Sequence, residues 1–420
     1  VNVSIALLTQ DLRLHDNPVL HAARRDADQV VPLFVLDTDI EAGGFPCPNR
    51  SAFLADCLAD LDDSLRRIGG RLILRRGRAA VETARLAEQL GARSVHVAAG
   101  VSGFAQRREA ELQAALGGRL RVHEGSVTVV APGAVLPSGR SHYAVFTPYH
   151  RAWQSAERRS PLGAPRAMPV PEELESLPIP TAKADSPELP TGGEREARRR
   201  WQAWSPERYE ELHDALADDG TSRLSPYLHF GCLSPTELTV RAMELPGPGA
   251  EAFVRQLAWR DFHHQVLAAT PQAAWQDYRD RGKVWREDEA EAEAWRQGRT
   301  GVPIVDAGMR QLAREGWMHN RARLITASYL TKTLGHDWRV GARHFLRLLV
   351  DGDLANNQLN WQWVAGTGND TRPNRVLNPL RQAERYDPEG AYVRRWCPEL
   401  AHLPGKSIHR GESGGGETLF

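Results

Sequence analysis

The stretch DGDLANNQLNWQW, Asp351 to Trp363, decides how the C-terminal part of the chain is read; it carries two acids, five side-chain amides and two tryptophans. Taken as a helix from about Asp353, it places Asp353, Asn357 and Trp361 at i, i+4 and i+8 on one face. Trp363 falls roughly 200° round the helix from Trp361, at about 100° per residue. The two indoles therefore leave the helix on different sides. One face suits a polar, planar ligand, yet indoles on two sides of a helix are also a common way to fill a core.

Working outward from this stretch, the pattern stays helical back to Glu194, with few β-branched runs. Thr300 to Leu330 places Asn320 and Leu324 on one face, with Arg321 and Arg323 adding positive charge; Arg323 is a natural partner for Asp351. In FVRQLAWRDFHHQ, Gln256 and Trp259 sit at i, i+3, an indole beside an amide, which suits stacking a base and reading its edge as well as it suits a core. His263 and His264 have no second ligand pair spaced to meet them, so no metal is expected. In DGTSRLSP, Asp219 to Pro226, the hydroxyls of Thr221, Ser222 and Ser225 flank Arg223 before a helical pattern. That combination forms a phosphate seat or a set of helix caps.

Before Glu194 the chain changes character. Prolines recur from Thr128 to Glu194, marking a connector with one ordered island at Phe146 to Trp153. Before it, Val3–Leu8, Val30–Val35, Arg71–Leu74 and Ser94–Ala98 are short apolar runs, separated by helical spacing at Ser51–Ile68 and Ala79–Leu90. Strands buried on both faces with helices between them predict a doubly wound parallel sheet, an α/β fold. No GxGxxG follows the first strand, so a nicotinamide-type dinucleotide fingerprint is missing. The first strand runs instead into TQDLRLHDNPVL, read either as a ligand-binding strand end or as a turn in which Asn17 caps a helix opened by Pro18.

Composition narrows the rest. The 53 basic and 53 acidic residues give no global field, so a nucleic-acid partner has to meet a local patch. Four scattered cysteines argue against a disulfide framework or a zinc site. With no apolar run near 18 residues and no secretory pattern, the expectation is a cytoplasmic protein with no membrane span. Twelve tryptophans, most after residue 200, supply large packing plates or stations for stacking and electron transfer.

TSRLSP, WRDFHHQ, GVPIVDAGMRQL, WMHNR and DGDLANNQLNWQW occur in this order, and with them the chain resembles the DNA photolyases of the photolyase/cryptochrome family. TQDLRLHDNP, FTPYHRAW, the Asn378–Pro379 pair and YDPEGAYVRRWCPEL fit the same family, so the resemblance covers nearly the whole chain. It is nearest to bacterial enzymes that split cyclobutane pyrimidine dimers. It implies an α/β N-terminal antenna domain over residues 1–128, a linker over 129–194, a larger all-helical FAD- and DNA-binding domain over 195–410 and a flexible tail over 411–420. Implied too are FAD, an antenna chromophore of deazaflavin or folate type, UV-damaged DNA as partner, and a monomer.

Residue by residue, the resemblance gives Tyr209, Thr221, Ser222, Arg223, Leu224 and Ser225 to the FAD phosphates and ribityl chain, with Arg260 as a further contact. Asn357 would face the flavin N5, Asp351 and Arg323 would form the ion pair beside the ring, and Asp353 would lie near its ribityl side. Trp361, Trp338 and Trp285 match a three-tryptophan electron relay. Trp259 and Trp363 match the pair that wedges a flipped dimer, with Asn320, Arg321, Leu324 and Arg375 near the lesion or its phosphates. Base flipping by such enzymes follows from a target bond that is unreachable inside the duplex. Gln256 stands where dimer-splitting enzymes usually have glutamate and where (6-4) photolyases carry glutamine. His213 replaces a common arginine, Leu324 a common methionine, and LTQDLR the usual FRRDLR. The alternatives are repair of (6-4) products or a cryptochrome-like light receptor without repair.

Overall fold

The computed structural model describes residues 1–411; of the tail expected over 411–420, residues 412–420 lie outside the described residues. The chain forms two units. One comprises residues 1–183, 191–207 and 222–271; the other comprises 184–190, 208–221 and the described residues from 272 on.

The first unit is built on five parallel strands, β1 (Val3–Leu7), β2 (Gln29–Asp37), β3 (Ile73–Gly77), β4 (Ser94–Ala98) and β5 (Leu120–His123), in the order β3-β2-β1-β4-β5. The order reverses at β1, as a doubly wound sheet requires. Every residue of β1 is buried, and its Ile5 lies opposite Val31 of β2 and Val95 of β4. The predicted α/β sheet is therefore present. The sequence reading omits β5, an edge strand whose LRVH pattern exposes Arg121 and Val122.

Helices Pro18–Asp26, Pro48–Arg66, Ala79–Leu90 and Gly103–Leu116 alternate with the strands. Asn17 caps the first of them, its Oδ1 accepting from Leu20 N at 3.1 Å, with Pro18 in the first turn. The rest of TQDLRLHDNP is neither an open ligand site nor a solvated turn. Arg13 is only 1% exposed and donates to the backbone oxygens of Asp16, Ser126 and Gly231. Asp16 in turn accepts from Arg159 and Ser234. Each partner replaces hydration lost on burial. Gly231, at φ +70°, is required here because a Cβ would lie 1.8 Å from Gln10 O.

Up to residue 183 the proline-rich connector belongs to the first unit and is pinned by its backbone. Val30 N donates to Pro169 O, Met168 N to Ile68 O and Leu177 N to Leu74 O. Its ordered island is a helix, Phe146–Ser155, tied by Trp153 Nε1 to Asp261 Oδ2 at 2.9 Å. The same Asp261 oxygen accepts from Val129 N and Val130 N.

The second unit is helical, with helices Pro303–Glu315, Asn320–Ser328, Trp338–Leu348 and Leu354–Ala365 around a core that includes Trp295, Trp338, Phe345 and Trp361. The GVPIVDAG motif has a local cause. Asp306 takes Thr300 N and Oγ1 at 2.7 Å on one oxygen and Gly301 N at 3.0 Å on the other, locking the turn that opens the helix. Among the described residues no helix is long and apolar enough to cross a membrane.

Candidate functional site

The Leu354–Ala365 helix begins where the sequence places it, with Asp353 as N-cap accepting from Asn356 N at 2.7 Å. Asn357 and Trp361, one and two turns on, are both buried, whereas Trp363 is half-buried. The helix is fixed by its amides. Gln358 Nε2 donates to Ala274 O, and Gln362 Nε2 donates to Ala273 O at 2.7 Å and Gln276 O at 3.0 Å. Gln362 Oε1 accepts from Tyr278 N at 2.7 Å, so one helix edge holds residues 273–278 in place. Asn357 Nδ2 donates to Ala342 O at 3.2 Å and to Gln358 Oε1 at 2.8 Å.

Arg323 and Asp351 form the expected ion pair, Nη2 to Oδ2 at 2.8 Å, with Arg323 Nε held by Met318 O at 2.8 Å. Asp351 Oδ1 is buried and has no partner in the protein. Thr221 Oγ1, also in the second unit, is in the same condition. Unpaired buried oxygens are costly, so both fit contact with a polar ligand. Tyr209 is half-buried, burial pushing its phenol up, and its carbonyl accepts from His213 Nδ1 at 3.0 Å.

Of the three tryptophans that the resemblance assigns to an electron relay, two are buried and one is half-buried. Trp361 is 2% exposed and meets Phe345 edge to face at 4.9 Å. Trp338 is fully buried, with Nε1–H on Asp277 Oδ1 at 2.8 Å. Trp285 is half-buried, with Lys283 Nζ 5.7 Å from its ring centroid. Asn320 and Arg375 are exposed, and Leu324 packs on the core rim. Arg321 is bound at both ends of its fork, to Asp214 Oδ1 at 3.1 Å and Oδ2 at 2.6 Å, and its guanidinium lies 4.4 Å over Tyr386.

In the first unit, Ser222, Arg223, Leu224 and Ser225 lead into the short helix Ser225–His229. Its N-cap is Leu224, with no side-chain capping bond, so helix capping does not account for the hydroxyls. Arg223 sits at φ +51°, a strained position for a side-chain-bearing residue. Arg260 Nη1 donates to Val127 O at 2.6 Å. Gln256 is exposed. Trp259 is half-buried with one face taken, its ring lying 3.7 Å from Phe146 at 6°.

The sequence reading misses several residues that hold these groups. Asp277 on Trp338 and Asp214 on Arg321 have no local motif to mark them. Lys332 lies in the π-turn Tyr329–Thr333 and donates to Ala365 O at 2.9 Å, closing the C-terminus of the Leu354–Ala365 helix. Burial and nearby Lys283 hold its ammonium down at about 8. A π-turn is itself a frequent mark of function, but it is visible only in structure.

Comparison with known proteins bears on this set of residues. The family model described as "DNA photolyase" matches residues 4–172, and that described as "FAD binding domain of DNA photolyase" matches 253–416. The chain is 59% identical over 419 residues to a deoxyribodipyrimidine photo-lyase of Streptomyces griseus, covering 97% of this chain and 92% of that one. A bacterial class III photolyase structure from Agrobacterium tumefaciens superposes with a TM-score of 0.89 at 32% identity, covering 98% of this chain and 89% of that one. An archaeal photolyase structure from Sulfolobus tokodaii, described with two FAD molecules and a novel light-harvesting cofactor, gives 0.87 at 30% identity, covering 97% and 92%.

Proposed function

The chain belongs to the DNA photolyase family, as an FAD-binding enzyme of the deoxyribodipyrimidine photo-lyase class, and from that premise we propose that it repairs cyclobutane pyrimidine dimers by light-driven electron transfer. The observation that carries the reading is the buried face of the Leu354–Ala365 helix, where Asn357 and Trp361 follow Asp353 at helical spacing and Asp351 Oδ1 lacks a partner. Asp351 Oδ1 and Thr221 Oγ1 suit a ligand rich in donors and acceptors along its length, as FAD is. Bound and reduced, FAD supplies on illumination the electron that opens the cyclobutane ring.

The chain's own residues then have three tasks. Tyr209, Thr221, Ser222, Arg223, Leu224 and Ser225 hold the phosphates and ribityl chain, with Arg260 in support. Asp351, Arg323, Asp353 and Asn357 orient the ring, and the Arg323–Asp351 pair fixes the polarity beside it. Trp259 and Trp363 receive the extruded pyrimidines, Gln256 donates an amide hydrogen bond to a carbonyl of the lesion, and Leu324 packs beside it. Asn320, Arg321 and Arg375 meet backbone phosphates. Trp361, Trp338 and Trp285 carry an electron inward when the cofactor must be reduced. We assign residues 1–128, 129–194 and 195–410 to the antenna, linker and FAD-binding parts.

We assign an antenna chromophore to the first unit. At the strand ends of the first unit a cavity of about 240 Å³ is lined by Asp37, Asp39, Phe104, Arg107, Arg108 and Glu111. Arg108 Nε is buried there without a partner.

Gln256 favours a second reading, repair of (6-4) products, since an amide stands where a carboxylate is usual. Blue-light repair of oligonucleotides bearing one defined lesion separates the two. Loss of cyclobutane dimers supports the main reading, loss of (6-4) products the second, and loss of neither leaves a flavin-binding light receptor.

A further inference from the structure

Trp338 is held by more charge than its packing needs. Its Nε1–H donates to Asp277 Oδ1 at 2.8 Å, and Arg339 Nη2 donates to the same oxygen at 2.8 Å. The Arg339 guanidinium carbon lies 4.8 Å from the Trp338 ring centroid, with Nε fixed on Trp275 O at 2.7 Å. Asp337 takes the other end of the fork at 3.0 and 3.1 Å. A buried indole needs only one neutral acceptor. Trp295, equally buried, makes do with the backbone oxygen of Thr326 at 3.0 Å.

Charge matters at this position because the indole itself is fully buried. A cation a few Å from a buried ring opposes removal of an electron from it, and a carboxylate on the ring nitrogen favours it. Asp277, at 17% side-chain exposure, is better shielded from water than Asp337 at 30%, so it acts on the indole with less screening.

We propose that Asp277 is a positioning residue for electron transfer through Trp338: it fixes the indole and offsets the Arg339 charge, so that a positive hole can rest on the ring. This deepens the reading of Trp338 as a relay station and rests on it. Trp338 gives one electron to oxidised Trp361 and regains one from Trp285, which an external thiol re-reduces. No bond breaks in the relay, and the Nε1 proton stays on the ring because Asp277 already shares its oxygen with a guanidinium. The initial oxidant is light-excited, oxidised flavin.

The test is blue-light flavin reduction in the FAD-loaded protein with a thiol donor, together with time-resolved absorption of the tryptophan radicals. Asp277→Asn keeps an oxygen for Nε1–H and removes the charge. Reduction should slow at least tenfold, with radical yield at Trp338 falling in step. Asp277→Asn combined with Arg339→Gln should recover most of the rate. The near-ultraviolet circular dichroism of both apoproteins should match that of the native chain. A native rate in Asp277→Asn while Trp338→Phe is slow overturns this proposal and leaves the relay standing. A native rate in Trp338→Phe overturns both. A slow single variant not rescued by Arg339→Gln makes Asp277 a packing residue and overturns its electrostatic role.

Discussion

Gly341 lies against the indole of Trp361 so closely that a Cβ built on it would stand 2.1 Å from Cη2 of the ring and 2.7 Å from Leu330 Cδ2. Gly341 is one turn beyond Trp338 on the same helix, so this approach brings the Trp361 ring up to the helix that carries Trp338. Gly341→Ala must push the indole outward. The expected loss is about 1–3 kcal/mol of stability, as for other overpacked cores, measured by urea unfolding, with slower flavin reduction by light. An unchanged midpoint would show that the contact is slack.

Arg323→Ala leaves Asp351 buried opposite no cation. Breaking one side of such a pair costs about 3 kcal/mol. Arg323→Lys keeps the charge but not both bonds to Met318 O and Asp351 and should fall between. The flavin-to-protein absorbance ratio of the purified variants reports the effect, and full flavin content in Arg323→Ala would remove this pair from the cofactor site.

Gln256→Glu places a carboxylate at an exposed position. Dimer splitting should be retained or improved, while DNA binding weakens through added negative charge and becomes less salt-sensitive. A fall in splitting rate of about tenfold, equal to about 1.4 kcal/mol, would give the amide a role of its own.

Acid should weaken the first unit through a buried chain of side chains. Ser4 Oγ meets Ser94 Oγ at 2.8 Å, Ser94 meets His96 Nε2 at 2.9 Å, and His96 Nδ1 meets His123 Nε2 at 2.9 Å. Burial, followed by the neighbouring His123, holds His96 down at about 4 despite Asp26 at 3.3 Å; Arg121 and Arg25 add to the fall. A histidine depressed on folding binds its proton more readily when unfolded. Stability is therefore full above about pH 6.5, falls as pH drops towards 4, and is about 2 kcal/mol lower at pH 5. Urea midpoints at pH 7 and 5 measure this, and His96→Gln should flatten the difference.

What the sequence disclosed, and what it did not, follows from range. Asn17 is legible as a cap because cap and helix adjoin in the chain, and β1, β2 and β4 are legible because burial leaves largely apolar runs; β3 is read two residues early because only Ile73 and Leu74 of it are buried. β5 escapes because an edge strand keeps charged and exposed residues. Charge alone pairs Arg323 with Asp351 across 28 positions, and the pair is present. Asp277 with Trp338 and Asp214 with Arg321 cannot be paired this way, since nothing local distinguishes those acids from any solvated aspartate. The cluster around Arg13 reads as a ligand-binding strand end or a solvated turn until its partners at Ser126 and Gly231 are seen.

The contact of Phe146 with Trp259 has a thermodynamic consequence. A ring stacked at 6° on a neighbour has surrendered its rotational freedom before any base arrives. Phe146→Ala would return that freedom to the unliganded protein, and calorimetry should register the penalty as a less favourable entropy of association. On the proposed reading of Trp259, affinity at this wall is thus set partly by a phenylalanine from the connector that has no need to touch a nucleotide.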